Sequence, residues 1–451
     1  MSTVALPIET KVRELHGKLW LGLHLLERGH DVVVGPSWEV DVTLHKTQPD
    51  TYISQGPSDS KIDQFTELRE AGIRVYALPP ESGIGSSTEQ IVMNKKQIVN
   101  HIDGFLCFGQ KFKNALSKYY KDTNSIHLTG NPRFDLQNSQ FRAFYYNRAK
   151  NLRNEYGSFI LLNTNFGLAN AFDQDKKYKM KEKITGGIDM NNLRHGRRTF
   201  HSFLESVLYL SDSLNELNII VRPHPGENHE IYSHTFDKFD DIKVIHSGDV
   251  REWITAAEMV MHHDCTTGIE SVLLGKPTLS YRPIDAQNSD KRIPQAVSTE
   301  VFERDRLVEK IQELVSEGPK EMSNEQKEKL RPYFQNIDSC AATAICDVIE
   351  QKTPLSTKDY QQLKPSNKEL IETRIRATKW SEQVAEAYDI VRKFTGEGSL
   401  KQAREKRQQK FPGLAQDEIM ETLENMTGDS TPLHVIEKVS GVNDTFRLYS
   451  R

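Results

Sequence analysis

A carboxylate, two hydroxyls and a pair of histidines share one short turn, His262–Thr267, inside the stretch MVMHHDCTTGIESVLLGKPTLSY that runs from Met259 to Tyr281. Asp264 has the chemistry of a nucleophile or a base. Thr266 and Thr267, at the start of a helix, can offer hydroxyls and free backbone N–H groups to an anion such as phosphate. The plainer alternatives are that the threonines only cap the helix and that Asp264 only bonds its own turn. His262, His263, Asp264 and Cys265 could also suggest a metal. Ligands from consecutive positions point different ways, however, and helix-borne pairs use i,i+4 spacing.

Neighbouring elements must hold this turn in place. Met259–Met261 reads as a short buried strand, Gly268–Leu274 as a helix stopped by Gly-Lys-Pro, and Thr278–Tyr281 as a second strand. Strand, turn, helix and strand make a βαβ unit with parallel strands. The turn then lies at the carboxyl end of a parallel strand, where open α/β sheets bind ligands.

The same alternation runs through the first 350 residues. Val4–Ile8 is a strand candidate, weakened near its end by Pro7. Lys11–Arg28 carries Val12, Leu15, Leu19, Leu23 and Leu26 at helical spacing, and Asp31–Gly35 is a buried strand. The loop between strand and helix holds Glu9, Lys11, Arg13 and Glu14, either a cleft-side charge group or a solvated helix start. Phe65–Ala71 reads as helix and Ile73–Leu78 as strand, followed by the Pro/Gly turn at 79–83. Asp103–Phe108 reads as strand, Gln110–Tyr119 as helix, and Ser125–Leu128 as a strand ending in TGNPRFD. Arg133 in that turn can hold a carboxylate or phosphate with two prongs, or simply close the turn with Asp135.

Near residue 150 the pattern restarts. Ser158–Leu162 is a strand followed by the polar loop Asn163–Phe166, and a Lys-rich stretch covers Asp173–Lys183. Phe203–Leu217 is an amphipathic helix. Asn218–Arg222 is a strand whose end, RPHPGE, delivers His224 because prolines cannot continue a central ladder. Lys243–His246 reads as strand and Val250–Ala257 as helix. Glu303–Ser316, Ser323–Phe334 and Ser339–Gln351 read as further helices. After Lys352 a polar linker leads to a strongly helical segment, Asn367–Lys393. The run KQAREKRQQK (401–410) is either a solvated helix face or a patch for anionic lipid or a phosphorylated carrier. The expected domains are therefore 1–150, 151–352 and a mainly helical extension, 353–451.

With 451 residues, 37% hydrophobic and 27% charged, the chain suits two or three globular domains. A net charge of -4 gives no whole-protein pull toward nucleic acid. No window reaches the ~18 apolar residues of a membrane span. Four cysteines (Cys107, Cys265, Cys340 and Cys346) lack metal-finger spacing and are too few for a disulfide framework. The N-terminal stretch lacks a signal peptide's apolar core, so a reducing cytosol is the expected setting, with peripheral contact at the inner membrane face compatible with it.

Two consecutive α/β halves, with a His-Pro loop and a Thr-Thr helix start in the second, resemble the GT-B architecture of two Rossmann-like domains facing a cleft. LPIETKVRELHGKLWLGLHLLERGHDVVVG, GNPRFD, LLNTNFG, RPHPGE and HHDCTTGIESVLLGKPTLSY together resemble bacterial surface-carbohydrate biosynthesis proteins. Within them the likeness is to the retaining β-Kdo transferase domain that caps an O-antigen (Kdo is the sugar acid 3-deoxy-manno-octulosonate). It runs through about residues 1–350.

The resemblance implies CMP-β-Kdo as donor, no metal or other cofactor, a lipid-borne polysaccharide acceptor, and retention through a glycosyl-aspartate. Asp264 is the implied nucleophile, with Asp249 as fallback and His263 and Glu9 as further catalytic candidates. Arg222, His224, Thr266, Thr267 and Asn165 would meet the CMP phosphate side, and Glu270 the ribose. Lys11, Arg13, Arg133 and Arg282 would meet the sugar acid or acceptor. The chemistry is coherent: an oxocarbenium-like state beside a carboxylate, with phosphate departure eased by positive dipoles. A UDP-sugar 2-epimerase, which shares the two-domain plan and a GNPR-type turn, and a non-catalytic glycan-binding domain are the alternatives.

Overall fold

Runs such as VALPI and DVVVG carry apolar side chains on both faces, so they form strands covered on both sides. In the computed structural model they build a parallel sheet from β1 (Thr3–Ile8), β2 (Asp31–Pro36), β3 (Thr51–Ser54), β4 (Arg74–Ala77), β5 (Gly104–Cys107) and β6 (Ile126–Leu128). The spatial order is β2-β1-β3-β4-β5-β6, and every neighbouring pair is parallel. Pro7 does not end β1. It pairs in register with Gly35 of β2, and pairing with β3 stops earlier, at Ala5. The helix Lys11–Glu27 crosses from β1 to β2 and buries Leu15, Leu19, Leu23 and Leu26, whereas Val12 in its first turn is 44% exposed.

The second sheet comprises β7 (Phe159–Asn163), β8 (Asn218–Arg222), β9 (Ile242–Val244), β10 (Met259–His262), β11 (Thr278–Tyr281) and β12 (Thr299–Val301). Its order is β12-β11-β10-β7-β8-β9, again all parallel. The amphipathic helix is longer than its apolar stripe implied, Met190–Ser213. It lays Phe203, Val207 and Leu210 on a core with Ile160, Ile219, Met261 and Tyr281. The chain goes outward from β7 to β9, then returns to β10 on the other side of β7. That reversal opens a crevice between the carboxyl ends of β7 and β10, the place where such sheets bind ligands. The first sheet reverses in the same way around β1, between β2 and β3.

The structure describes residues 2–56, 59–79, 98–120, 123–171, 178, 189–284, 292–337, 339–351, 359–366, 410–428 and 434–450. The turn residues 80–83, most of the Lys-rich stretch 173–183, the expected helix 367–393 and residues 401–409 of the basic run lie outside them. Contacts divide the chain into Met1–Leu136 with Arg331–Arg451, and Gln137–Leu330. The expected cuts at 150 and 352 differ, because the helix Ala341–Glu350 belongs with the first unit. The tail was expected to be mainly helical. Besides the helix Gln416–Thr427, it carries the antiparallel hairpin β13 (His434–Lys438) and β14 (Phe446–Ser450). β14 pairs antiparallel with β2, which makes the first sheet eight-stranded. The buried Glu39 carboxylate fixes this docking by accepting the N–H groups of Asn443 and Asp444 and the Thr445 hydroxyl. Among the described residues no helix is long and apolar enough to cross a membrane.

Candidate functional site

At the β7/β10 crevice two loops are clasped together. The Asn165 amide donates to the Asp264 carbonyl at 2.7 Å, and the His263 N–H donates to the Asn163 carbonyl at 3.3 Å. Asp264 sits at φ +48°, a left-handed conformation that Asp tolerates better than most residues. Its Oδ2 lies 2.8 Å from Arg292 Nη1. Its Oδ1 is buried and has no hydrogen-bond partner among the described residues. Burial pushes the carboxyl up to about 6, against the opposing pull of Arg292 and Arg282. Desolvation therefore outweighs two guanidinium groups, and at pH 7 the acid is still roughly nine-tenths ionised.

The adjacent histidines divide the work. His263 stacks on Phe166 with ring centres 4.7 Å apart and planes 10° off parallel. Its Nδ1 is 3.1 Å from the Tyr281 carbonyl. A carbonyl only accepts, so Nδ1 carries the proton and Nε2 keeps its lone pair. Burial lowers the ring's pKa to about 4, which leaves Nε2 unprotonated at pH 7 and makes the ring a weak base. His262 is fully buried and pushed down to about 3. Its Nδ1 accepts the Cys265 N–H at 3.4 Å, so its Nε2–H donates to Ser298 Oγ at 3.0 Å, which in turn donates to the Pro294 carbonyl. Both of its nitrogens are engaged, and the ring braces the turn against residues 294–298. A Cβ at Gly268 would stand 2.4 Å from His262 Nε2, which is why a glycine follows Thr267.

The flanking residues fall into two groups. Thr266 is the N-cap of the seven-residue helix Thr267–Leu273, yet its side chain makes no capping bond. The Thr267 hydroxyl is buried without a hydrogen-bond partner among the described residues. His224, half-buried after β8, receives the Gly226 N–H on Nδ1 and donates its own N–H to the Thr164 hydroxyl. By contrast, Arg222 donates to the carbonyls of Ser247 (2.7 Å) and Gly248 (3.1 Å) and lies over Trp253, bracing the loop before the helix Val250–Ala256. Glu270 is fully buried on the helix Thr267–Leu273, where Gln137 donates to it at 3.5 Å. Arg282, also buried, pairs with Glu300 at 3.2 Å. Asp249 caps the helix Val250–Ala256, and Arg251 grips both of its oxygens. It has no free oxygen with which to serve as the fallback nucleophile.

The first unit holds the remaining predicted residues at the carboxyl end of β1. Glu9 Oε1 is 2.6 Å from Lys61, and Lys11 is 2.7 Å from Glu418. Glu14 accepts the N–H groups of Glu9 and Thr10. Arg13 and Arg133 line a small recess of about 10 Å³ with Glu14 and the buried Lys18, whose ammonium burial brings down to about 8. The backbone of Arg133 packs 2.7 Å from where a Cβ on Gly17 would be. Asp135 was a candidate to close a turn with Arg133. It instead accepts the N–H groups of Ala341 and Ala342, at the start of the helix Ala341–Glu350.

No protein-family model matches this sequence, and no curated protein matches it. Solved structures do. The UDP-GlcNAc 2-epimerase from Methanocaldococcus jannaschii matches with a TM-score of 0.51 at 14% identity, over 78% of this chain and 99% of that one. The chain has the GT-B fold. The S. aureus MnaA–UDP co-structure matches at TM-score 0.49 and 13% identity, over 80% of this chain and 100% of that one. The wall teichoic acid polymerase TagF matches at TM-score 0.48 and 9% identity, over 77% and 88%.

Within this GT-B chain, sequence reasoning assigned no role to three residues that shape the site. Arg292 approaches Asp264 from 28 positions along the chain, a distance at which spacing carries no signal. Phe166 was visible only as the end of a polar loop. Glu227 stood in RPHPGE, the one available hint. Its buried carboxylate accepts the Phe166 N–H (2.8 Å), the Thr164 hydroxyl (3.1 Å) and the Tyr232 hydroxyl, locking the two loops that frame His263.

Proposed function

We propose that this chain is a retaining glycosyltransferase that moves β-Kdo from CMP-β-Kdo to a bacterial surface polysaccharide by double displacement. Asp264 Oδ1 attacks the anomeric carbon, the carbon–oxygen bond to the CMP phosphate breaks, and a glycosyl-aspartate forms with inversion. An acceptor hydroxyl then gives its proton to His263 Nε2, bonds to the same carbon and displaces the carboxylate, so configuration is restored. Arg292 favours the ionised acid before attack. Thr266, Thr267 and His224 receive the departing phosphate, and Arg13, Arg133 and Arg282 remain the candidates for the Kdo carboxylate. The reading carries with it a cytoplasmic location at the inner membrane face, where a lipid-borne acceptor would be reached.

One observation supports this reading most: a half-buried carboxylate at a sheet's switch point, held in a left-handed turn, with one oxygen paired and the other buried without a hydrogen-bond partner among the described residues. A perturbed acid in a cleft at such a place is a candidate for reaction. The test is CMP release from CMP-Kdo generated in situ, set beside nuclear magnetic resonance of UDP-GlcNAc incubated with the same protein. CMP release with Kdo transfer is expected. Conversion of UDP-GlcNAc to its 2-epimer without CMP release would replace the transferase by an epimerase. Inertness toward both donors would leave a glycan-binding module.

A further inference from the structure

A second charged recess lies at the opposite end of the second sheet. It has a volume of about 340 Å³ and is lined by Arg142, Tyr146, Lys150, Arg153, Thr255 and Lys276, with no acidic residue among the described lining. Its walls lead into the amino ends of three strands. The helix Tyr146–Tyr156 runs toward Phe159 of β7, Thr255 precedes β10, and Lys276 precedes β11. The candidate catalytic turn is at the carboxyl ends of the same strands, so the two places are separate.

The cations are fixed and only partly neutralised. Arg142 donates to the Leu274 carbonyl, Arg153 to that of Ala256, and Lys276 to that of Ala257. Each bond satisfies the end of a helix or strand connection and leaves the charge in place. Among the described residues, two of the lining cations have an acidic partner: Arg142 pairs with Glu321, and Arg153 is 4.0 Å from Glu258. Lys276 is nine-tenths buried, and its ammonium is brought down to about 8, first by burial and then by Arg153. Lys150 stands exposed on the rim, and Tyr146 beside it is 54% exposed. A buried ammonium against an arginine is a stored electrostatic cost that an anion would relieve.

We propose that this recess binds a phosphate group through Arg142, Lys150, Arg153 and Lys276, supplied either by a soluble phosphorylated compound or by a lipid headgroup. The test uses the full chain with excess CMP present, so that any nucleotide site is already filled. One arm titrates pyrophosphate by calorimetry. The other co-sediments the protein with vesicles of phosphatidylglycerol in phosphatidylcholine, against pure phosphatidylcholine. Binding in the first arm assigns a soluble source, and binding only in the second assigns a lipid. Lys150→Glu alters an exposed side chain and Arg153→Gln a half-exposed one. Either is expected to weaken the binding roughly tenfold. No binding in either arm, or binding that both variants leave intact, overturns the proposal. The outcome is independent of sugar transfer, since phosphate would bind here whichever reaction the other end of the sheet performs.

Discussion

At the carboxyl end of β1, Glu9 rests 2.6 Å from Lys61, Glu14 receives two backbone N–H groups, and the Tyr52 hydroxyl donates to Asp41 at 2.7 Å. At the carboxyl end of β10, Asp264 has one oxygen on Arg292 and the other buried without a hydrogen-bond partner among the described residues. The two sheets reverse in the same way, and burial raises Glu14 and Asp41 just as it raises Asp264. The difference is not the size of the shift but what each carboxylate has left to do. In the first unit Glu14 and Asp41 are each met by donors from their own surroundings, so the cluster works as structure. In the second, valence is left over, and that surplus is what a reaction can use.

The sharpest way to break this comparison is Asp264→Asn. Asn keeps the shape and tolerates the left-handed turn, and transfer should fall by roughly 10³-fold or more if the carboxylate is the nucleophile. Stability should move the other way. The folded pKa of about 6 lies above the ordinary 3.8, so stability linked to Asp264 is greatest below pH 3.8 and is lost as pH rises through 6. At pH 7 the wild type bears that full cost, and Asn should raise stability by about 2 kcal/mol after allowance for the 19% exposure of the side chain. Urea titration of both proteins at pH 7 measures it. A variant that loses activity and stability together would mark Asp264 as a brace like its counterparts in the first unit.

Next in size is Gly268→Ala, which sets a methyl 2.4 Å from the His262 ring. The ring is fixed on both nitrogens, so the clash should cost about 2–3 kcal/mol in urea unfolding. A smaller effect is expected from pH. As Asp264 protonates through about 6, the transfer rate should fall about tenfold between pH 7 and pH 5, with one proton taken up. Smallest is Lys61→Ala. Its pair with Glu9 is partly exposed and should contribute less than about 1 kcal/mol, with no change in the acid limb of the rate profile.

The sequence carried the strands that place the turn because they are continuous apolar runs ended by turn residues. Met259–Tyr281 folds as the βαβ unit read from it, with the strand extended to His262. Side-chain partnerships were much less legible. Asp249 and Asp264 both precede short helices, and only geometry shows that Arg251 consumes the first while the second keeps an oxygen without a hydrogen-bond partner among the described residues. The Arg222 guanidinium at a strand end looked like a phosphate ligand, but three backbone carbonyls within reach claim its donors. The C-terminal hairpin escaped notice because FRLYS is short and half polar, and its place beside β2 depends on Glu39, more than 400 positions earlier.

Intact-mass spectrometry of the protein mixed with freshly generated CMP-Kdo, without acceptor, reads out the covalent intermediate itself. A covalent adduct of one Kdo residue is expected that maps to Asp264, disappears when acceptor is added, and is absent from Asp264→Asn. Turnover with no adduct at any time, or an adduct that persists in Asp264→Asn, would contradict the glycosyl-aspartate mechanism.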